Sequence, residues 1–105
     1  MRQRIPVTIE RVERLWPAWI GGRVFRRTIF VREGVPLTRK FLAHELCHVL
    51  QRERLGWRFL GAYLLGWAGA GFSYEMNPLE VEAREAERDP WFLAWADDLL
   101  AEKRG

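Results

Sequence analysis

A small α+β domain is the fold class this sequence predicts: a short β-hairpin or sheet packed on three to four helices, one of them central. Three observations carry that expectation. β-Branched and aromatic residues crowd the stretch Val24 to Arg32, and apolar residues at helical spacing then run from Leu37 to Arg54. Two later pairs, Asn77-Pro78 and Asp89-Pro90, each place a capping side chain before a proline that can open a helix. The 105 residues form one domain, 1–105, and an apolar content of 49% provides a core and excludes a disordered chain. A net charge of +3, spread along the chain and not gathered in one run, predicts solvated arginines and no nucleic-acid partner. The single cysteine excludes an internal disulfide framework. A reducing, cytoplasmic setting follows, and Met1 to Pro6 offers no apolar signal core. One Asn and two Gln are few thermolabile amides, a hint of a heat-adapted source.

Thr8 can cap a short helix through Ile9, Val12, Leu15 and Trp16, ended by Pro17; the alternative is a strand over Ile5 to Glu10, where apolar and polar residues alternate. The helix is the preferred reading. Gly21-Gly22 reads as a tight turn joining Trp19-Ile20 to Arg23-Val24. Val24 to Arg32 reads as the main strand, with Arg26, Arg27 and Arg32 toward solvent and Glu33 to Pro36 as a turn. Thr38 caps the next helix, Phe41, Leu42, Leu46, Val49 and Leu50 form its apolar face, and Gly56 stops it. Trp57 to Phe72 is the most apolar stretch. Its sixteen residues, with Arg58 inside, fall short of the roughly 20 needed to cross a bilayer, so a buried helix is expected, with contact at a membrane surface as the alternative. Helices then run from Leu79 to Arg88 and from Asp89-Pro90 to about Lys103, the last with Trp91, Phe92, Trp95 and Leu99 on one face.

The chemistry gathers in the central helix. Both histidines of the chain, His44 and His48, lie four residues apart, so their imidazoles aim at one point on one helix face. Glu45 follows the first of them and is placed to hold a water and take its proton. This His-Glu-x-x-His arrangement is that of zinc-dependent peptide hydrolases. A catalytic zinc needs a third protein ligand and an open position. With no histidine left, that ligand is a carboxylate. Cys47 sits on the same turn, is geometrically poor, and reads as a small buried residue.

Asn77-Pro78-Leu79-Glu80-Val81-Glu82-Ala83-Arg84 offers the ligand. Together with Thr28 to Arg32, His44 to Gln51 and Tyr74, it resembles the gluzincins, and in particular their minimal single-domain forms, the minigluzincins. The likeness covers roughly residues 24 to 88 in three blocks. It implies a zincin-like fold and Zn²⁺ held by His44, His48 and Glu80. It further implies peptide or protein substrates and hydrolysis with Glu45 as general base. Glu80 followed by Ala83 fits the pattern of a ligand glutamate and a small residue that lets two helices approach. Where many gluzincins carry an aspartate after that alanine to support a ligand histidine, this chain has Arg84, so another acceptor must serve or the site is weaker. With no third histidine, the oxyanion stabiliser falls to Tyr74, with Tyr63 and Arg84 as alternatives. On a helix Glu80 and Glu82 point about 200° apart, so only one faces the histidines. Glu82 shares a solvated stripe with Glu85, and Asn77 with Glu80 also has capping-box spacing. Edge pairing of substrate on Thr28 to Arg32 is expected. Two other classes stay open: a catalytically silent or latent metal-binding domain, and an interaction or membrane-surface module working through residues 57–72.

Overall fold

The computed structural model describes residues 3–14, 22–25, 27–69, 71 and 76–104, excepting the side chains of residues 23, 25, 57, 59, 60, 62, 63, 67 and 104. Three strands, β1 (Thr8–Val12), β2 (Gly22–Phe25) and β3 (Thr28–Arg32), form a sheet of order β1-β3-β2. β1 runs parallel to β3, with Thr8 opposite Thr28 and Val12 opposite Arg32. β2 is antiparallel to β3, with Phe25 opposite Thr28.

The first element is therefore a strand, and the preferred helix from Thr8 is corrected. The parallel ladder supplies partners to a backbone that helical spacing alone would have paired locally, and Thr8 N donating to Arg27 O and Glu33 N to Val12 O extend it at both ends. Ile5, Val7 and Ile9 pack on the core in the period of two that a strand requires. Val24 to Arg32, expected as one strand, is divided between β2, ending at Phe25, and β3, starting at Thr28, which pair antiparallel. The physical cause is legible: two adjacent arginines interrupt the apolar run, and Arg27 is exposed and pairs with Glu53 of the central helix. The turn expected at Gly21, and Arg26, lie outside the described residues. β3 is central in the sheet. Its Ile29 and Val31 are fully buried on one face while Thr28, Phe30 and Arg32 are half-buried on the other, so both faces are covered, as its imperfect alternation implied. A strand paired on both sides has no free edge, which corrects the expectation that β3 receives substrate.

α1 (Arg39–Leu55) begins at Thr38, whose Oγ1 accepts from Phe41 N at 3.1 Å, and ends at Gly56, where a φ of 59° admits glycine without strain. It is buried on most of its circumference: Val24, Ile29 and Val31 of the sheet meet Leu42, Leu46 and Val49, while Ala83, Ala86, Phe92, Trp95 and Ala96 close in from later helices. A short 3₁₀ turn, Gly56–Arg58, leads into α2 (Phe59–Gly69). Among the described side chains of α2, the burial expected is not met. Leu64 is 50% and Leu65 76% exposed, and Gly66 lies next to Asn77 and Pro78 at the start of the next helix. Among the described residues, no helix is long and apolar enough to cross a membrane.

α3 (Pro78–Ala86) starts at Asn77, whose Oδ1 accepts from Leu79 N at 3.0 Å, with Pro78 in the first turn as expected. Asp89 repeats the device for α4 (Pro90–Arg104), accepting from Trp91 N at 2.9 Å. Arg39 pairs with Asp97 at 2.8 Å, tying α1 to α4, and Arg4 reaches Asp98 at 2.7 Å from the N-terminal segment. These surface pairs are worth at most about 1 kcal/mol each. Burial against α1 holds α4 in place.

Candidate metal centre

Helix α1 places His44 and His48 on one face, their rings 5.0 Å apart. Helix α3 meets that face because Ala83, fully buried, lets the two helices approach. Glu80, in the first turn of α3 and 3% exposed, is brought between the imidazoles. Its Oε1 lies 3.0 Å from His48 Nε2 and its Oε2 3.3 Å from His44 Nε2. One ligand atom from each of the three residues falls within 4.8 Å of the others. The first turn of a helix also favours a carboxylate through the positive end of the helix dipole.

Glu80 Oε2 is buried and makes no hydrogen bond. A buried carboxylate oxygen without a partner is costly, and a cation shared with the two Nε2 atoms would satisfy it. Two imidazole nitrogens and one carboxylate oxygen are the donor set of a catalytic zinc with an open position, so the residues present fit a metal ion of that kind. The capping-box alternative is not realised, since both Glu80 oxygens lie at the histidines.

The electrostatics agree with a tightly coupled group. Burial works to raise the Glu80 carboxyl, but the two imidazoles outweigh it and hold the group well below the usual carboxylate range. Burial likewise opposes the charge of His44, yet the nearby carboxylates of Glu80 and Glu87 and the field of Glu45 raise it to about 9. His48 is raised against its burial by Glu80, Glu45 and Gln51. Glu45, 8% exposed, is pushed up by burial against the pull of His48 and His44, which places its carboxyl within their field.

Of the residues expected at the site, His44, His48 and Glu80 come together and Glu45 lies beside them. Tyr74 lies outside the described residues, as does the side chain of Tyr63. Arg84 is half-buried in the last turn of α3. Cys47 is buried and no member of the group, as expected; its Sγ lies 3.7 Å from both Glu82 Oε1 and Gln51 Nε2. Glu82 and Glu85 are exposed, although Glu82 Oε1 also accepts from Gln51 Nε2 at 2.9 Å.

Two residues that contact the histidines escaped the sequence reading. Glu87 accepts from His44 Nδ1 at 2.9 Å, filling the supporting role that Arg84 cannot, and Gln51 Oε1 lies 2.9 Å from His48 Nδ1. Spacing could have found both. Gln51 is three residues after His48 on the same helix face, and Glu87 is seven after Glu80, two turns on. No family model matches the chain, and neither a curated protein nor a solved structure matches it.

Proposed function

We propose that this chain is a zinc-dependent peptide hydrolase. The observation that carries the reading is the buried Glu80 carboxylate facing Nε2 of both histidines of a His-Glu-x-x-His helix, with one oxygen unsatisfied. His44, His48 and Glu80 hold the ion. Zinc supplies Lewis acidity, polarising a carbonyl and lowering the pKa of water. Glu45 takes the proton of the attacking water and returns it to the departing amine; burial favours its protonated form, as a group that must pass a proton on requires. Glu87 and Gln51 fix the imidazoles from behind. Substrate pairing by strand addition falls to β1 or β2, the outer strands of the sheet.

Metal analysis joined to turnover of a peptide library tests this. About one zinc per chain is expected, lost in His44→Ala and in His48→Ala. Glu45→Gln keeps the zinc and lowers hydrolysis by at least about 10²-fold. Full zinc in both histidine variants ends the reading. Equal peptidase rates in wild type and Glu45→Gln remove Glu45 from it, and zinc without any turnover leaves a silent or latent metal-binding domain.

A second reading draws on α2, where Leu64, Leu65 and the neighbouring Met76 are exposed. It makes residues 57–72 an interaction or membrane surface. Cosedimentation with lipid vesicles, abolished in Leu64→Ser/Leu65→Ser, tests it apart from the metal.

A further inference from the structure

Gln51 is 1% exposed and its side chain is bonded at both ends. Nε2 lies 3.0 Å from Leu79 O and 2.9 Å from Glu82 Oε1. A carbonyl and a carboxylate accept and do not donate, so the amide nitrogen belongs on that side and Oε1 on the other. Oε1 lies 2.9 Å from His48 Nδ1. Facing an acceptor that cannot turn, Nδ1 must carry a proton. The neutral imidazole then keeps its lone pair on Nε2, the atom 3.0 Å from Glu80 Oε1 and on the metal side.

We propose that Gln51, locked by Leu79 O and Glu82, is a positioning residue that imposes the Nδ1–H tautomer on His48 and so turns Nε2 toward the metal. The inference rests on the metal-centre reading above but is separable from it, because the amide network exists without an ion. It gives the two ligands unlike supports. His44 leans on the carboxylate of Glu87, and His48 on a neutral amide whose orientation is set by a second helix. Leu79 and Glu82 flank Glu80 in α3, so the segment that brings the third ligand also orients the second. Formation of the α1–α3 contact thereby completes the ligand and selects the tautomer in one step. Glu82 is itself half-exposed and borders a cleft of about 270 Å³ between α1, α3 and the start of α4, so it can be changed without opening the core.

The test uses the full chain, zinc-loaded and after chelation. Zinc affinity is read by competition with a chromophoric chelator, and the His48 side chain by ¹⁵N-edited NMR. Wild type is expected to show a slowly exchanging Nδ1–H proton on His48 in both forms. Gln51→Met, of similar length but without an acceptor, is expected to lose that signal and to bind zinc about 10–100-fold more weakly. Gln51→Glu keeps an acceptor for Nδ1 but sets a carboxylate against Leu79 O and Glu82, and is expected to weaken zinc likewise. Adding Glu82→Gln exchanges amide and carboxylate across that contact and is expected to recover part of the affinity, the repulsion at Leu79 O remaining. The Gln51→Glu series decides the matter if Gln51→Met does not fold. Unchanged zinc affinity and an unchanged Nδ1–H signal in Gln51→Met overturn the proposal, and so does a double variant no better than Gln51→Glu alone. A wild-type chain that binds no zinc defeats the metal reading instead, and the Nδ1–H signal of the chelated protein still decides this one.

Discussion

At the scale of single residues, the site depends on groups whose charge is set by one another. Glu87 illustrates how far a supporting residue matters. Removing a partner that holds a ligand imidazole typically costs about 10–100-fold in metal affinity, so Glu87→Ala is expected to weaken zinc by that factor. Glu87→Gln, which still offers an acceptor, is expected to lose less. Chelator competition measures both, and equal affinity in Glu87→Ala and wild type would remove Glu87 from the site. The same couplings give the chelated protein a pH signature. His44 titrates at an ordinary 6.5 when unfolded and at about 9 in the fold. Its stabilising charge is therefore fully present below about 6.5 and lost as pH rises through about 9. Glu80 has the opposite sign: its depressed value contributes above the ordinary 4.5 and is lost as pH falls below it. Urea midpoints of EDTA-treated protein should therefore decline between pH 6.5 and about 9. Zinc needs neutral imidazoles, so its apparent affinity should rise over the same window. Midpoints that climb with pH there would refute the assignment.

At the scale of elements, the caps decide where the ligands sit. Asn77 is fully buried, and its side chain satisfies Leu79 N at the start of α3, one residue before Glu80. Asn77→Ala is expected to cost about 1 kcal/mol of stability and also to weaken zinc, since the first turn of α3 then loosens. Denaturant midpoints and chelator competition check the two halves, and lost stability with unchanged zinc affinity would mean that Glu80 is placed by burial alone. The caps were legible because Thr38, Asn77 and Asp89 act through the next few backbone amides, and such local chemistry is written in adjacent residues. The strands were less so. Ile9 and Val12 fit a helix as well as a strand until β3 lies beside them, and the division of Val24 to Arg32 depends on pairing between β2 and β3. The exposure of Leu64 and Leu65 was missed for a similar reason. Hydropathy gives the preference of Leu64 and Leu65, but whether the core has room for them is decided by the other helices.

At the scale of the whole molecule, α1 carries two residues of the candidate metal centre and α3 the third, with α2 between them in the chain. The triad was legible as residue types, because His44 and His48 are the only histidines and Glu80 stands beside a helix start. Glu87 was not, since its contact with His44 appears only once α3 lies across α1, while Gln51 stands in local reach of His48 and only the direction of its amide depends on α3. An ion shared by His44, His48 and Glu80 is a cross-link between two helices that exists in the folded chain alone, so binding must appear as stability. With free zinc a hundredfold above Kd the gain is about 2.7 kcal/mol, which for a domain of this size raises Tm by roughly 10–20 °C. Glu80→Ala should abolish most of that rise and lower the Tm in EDTA at neutral pH, because it removes the carboxylate that stabilises the charged imidazoles of His44 and His48. Glu82→Ala should keep most of the rise, since Leu79 O still holds Gln51. Differential scanning calorimetry with and without zinc measures both. A zinc-dependent rise that survives in Glu80→Ala and vanishes in Glu82→Ala would move the third ligand to Glu82.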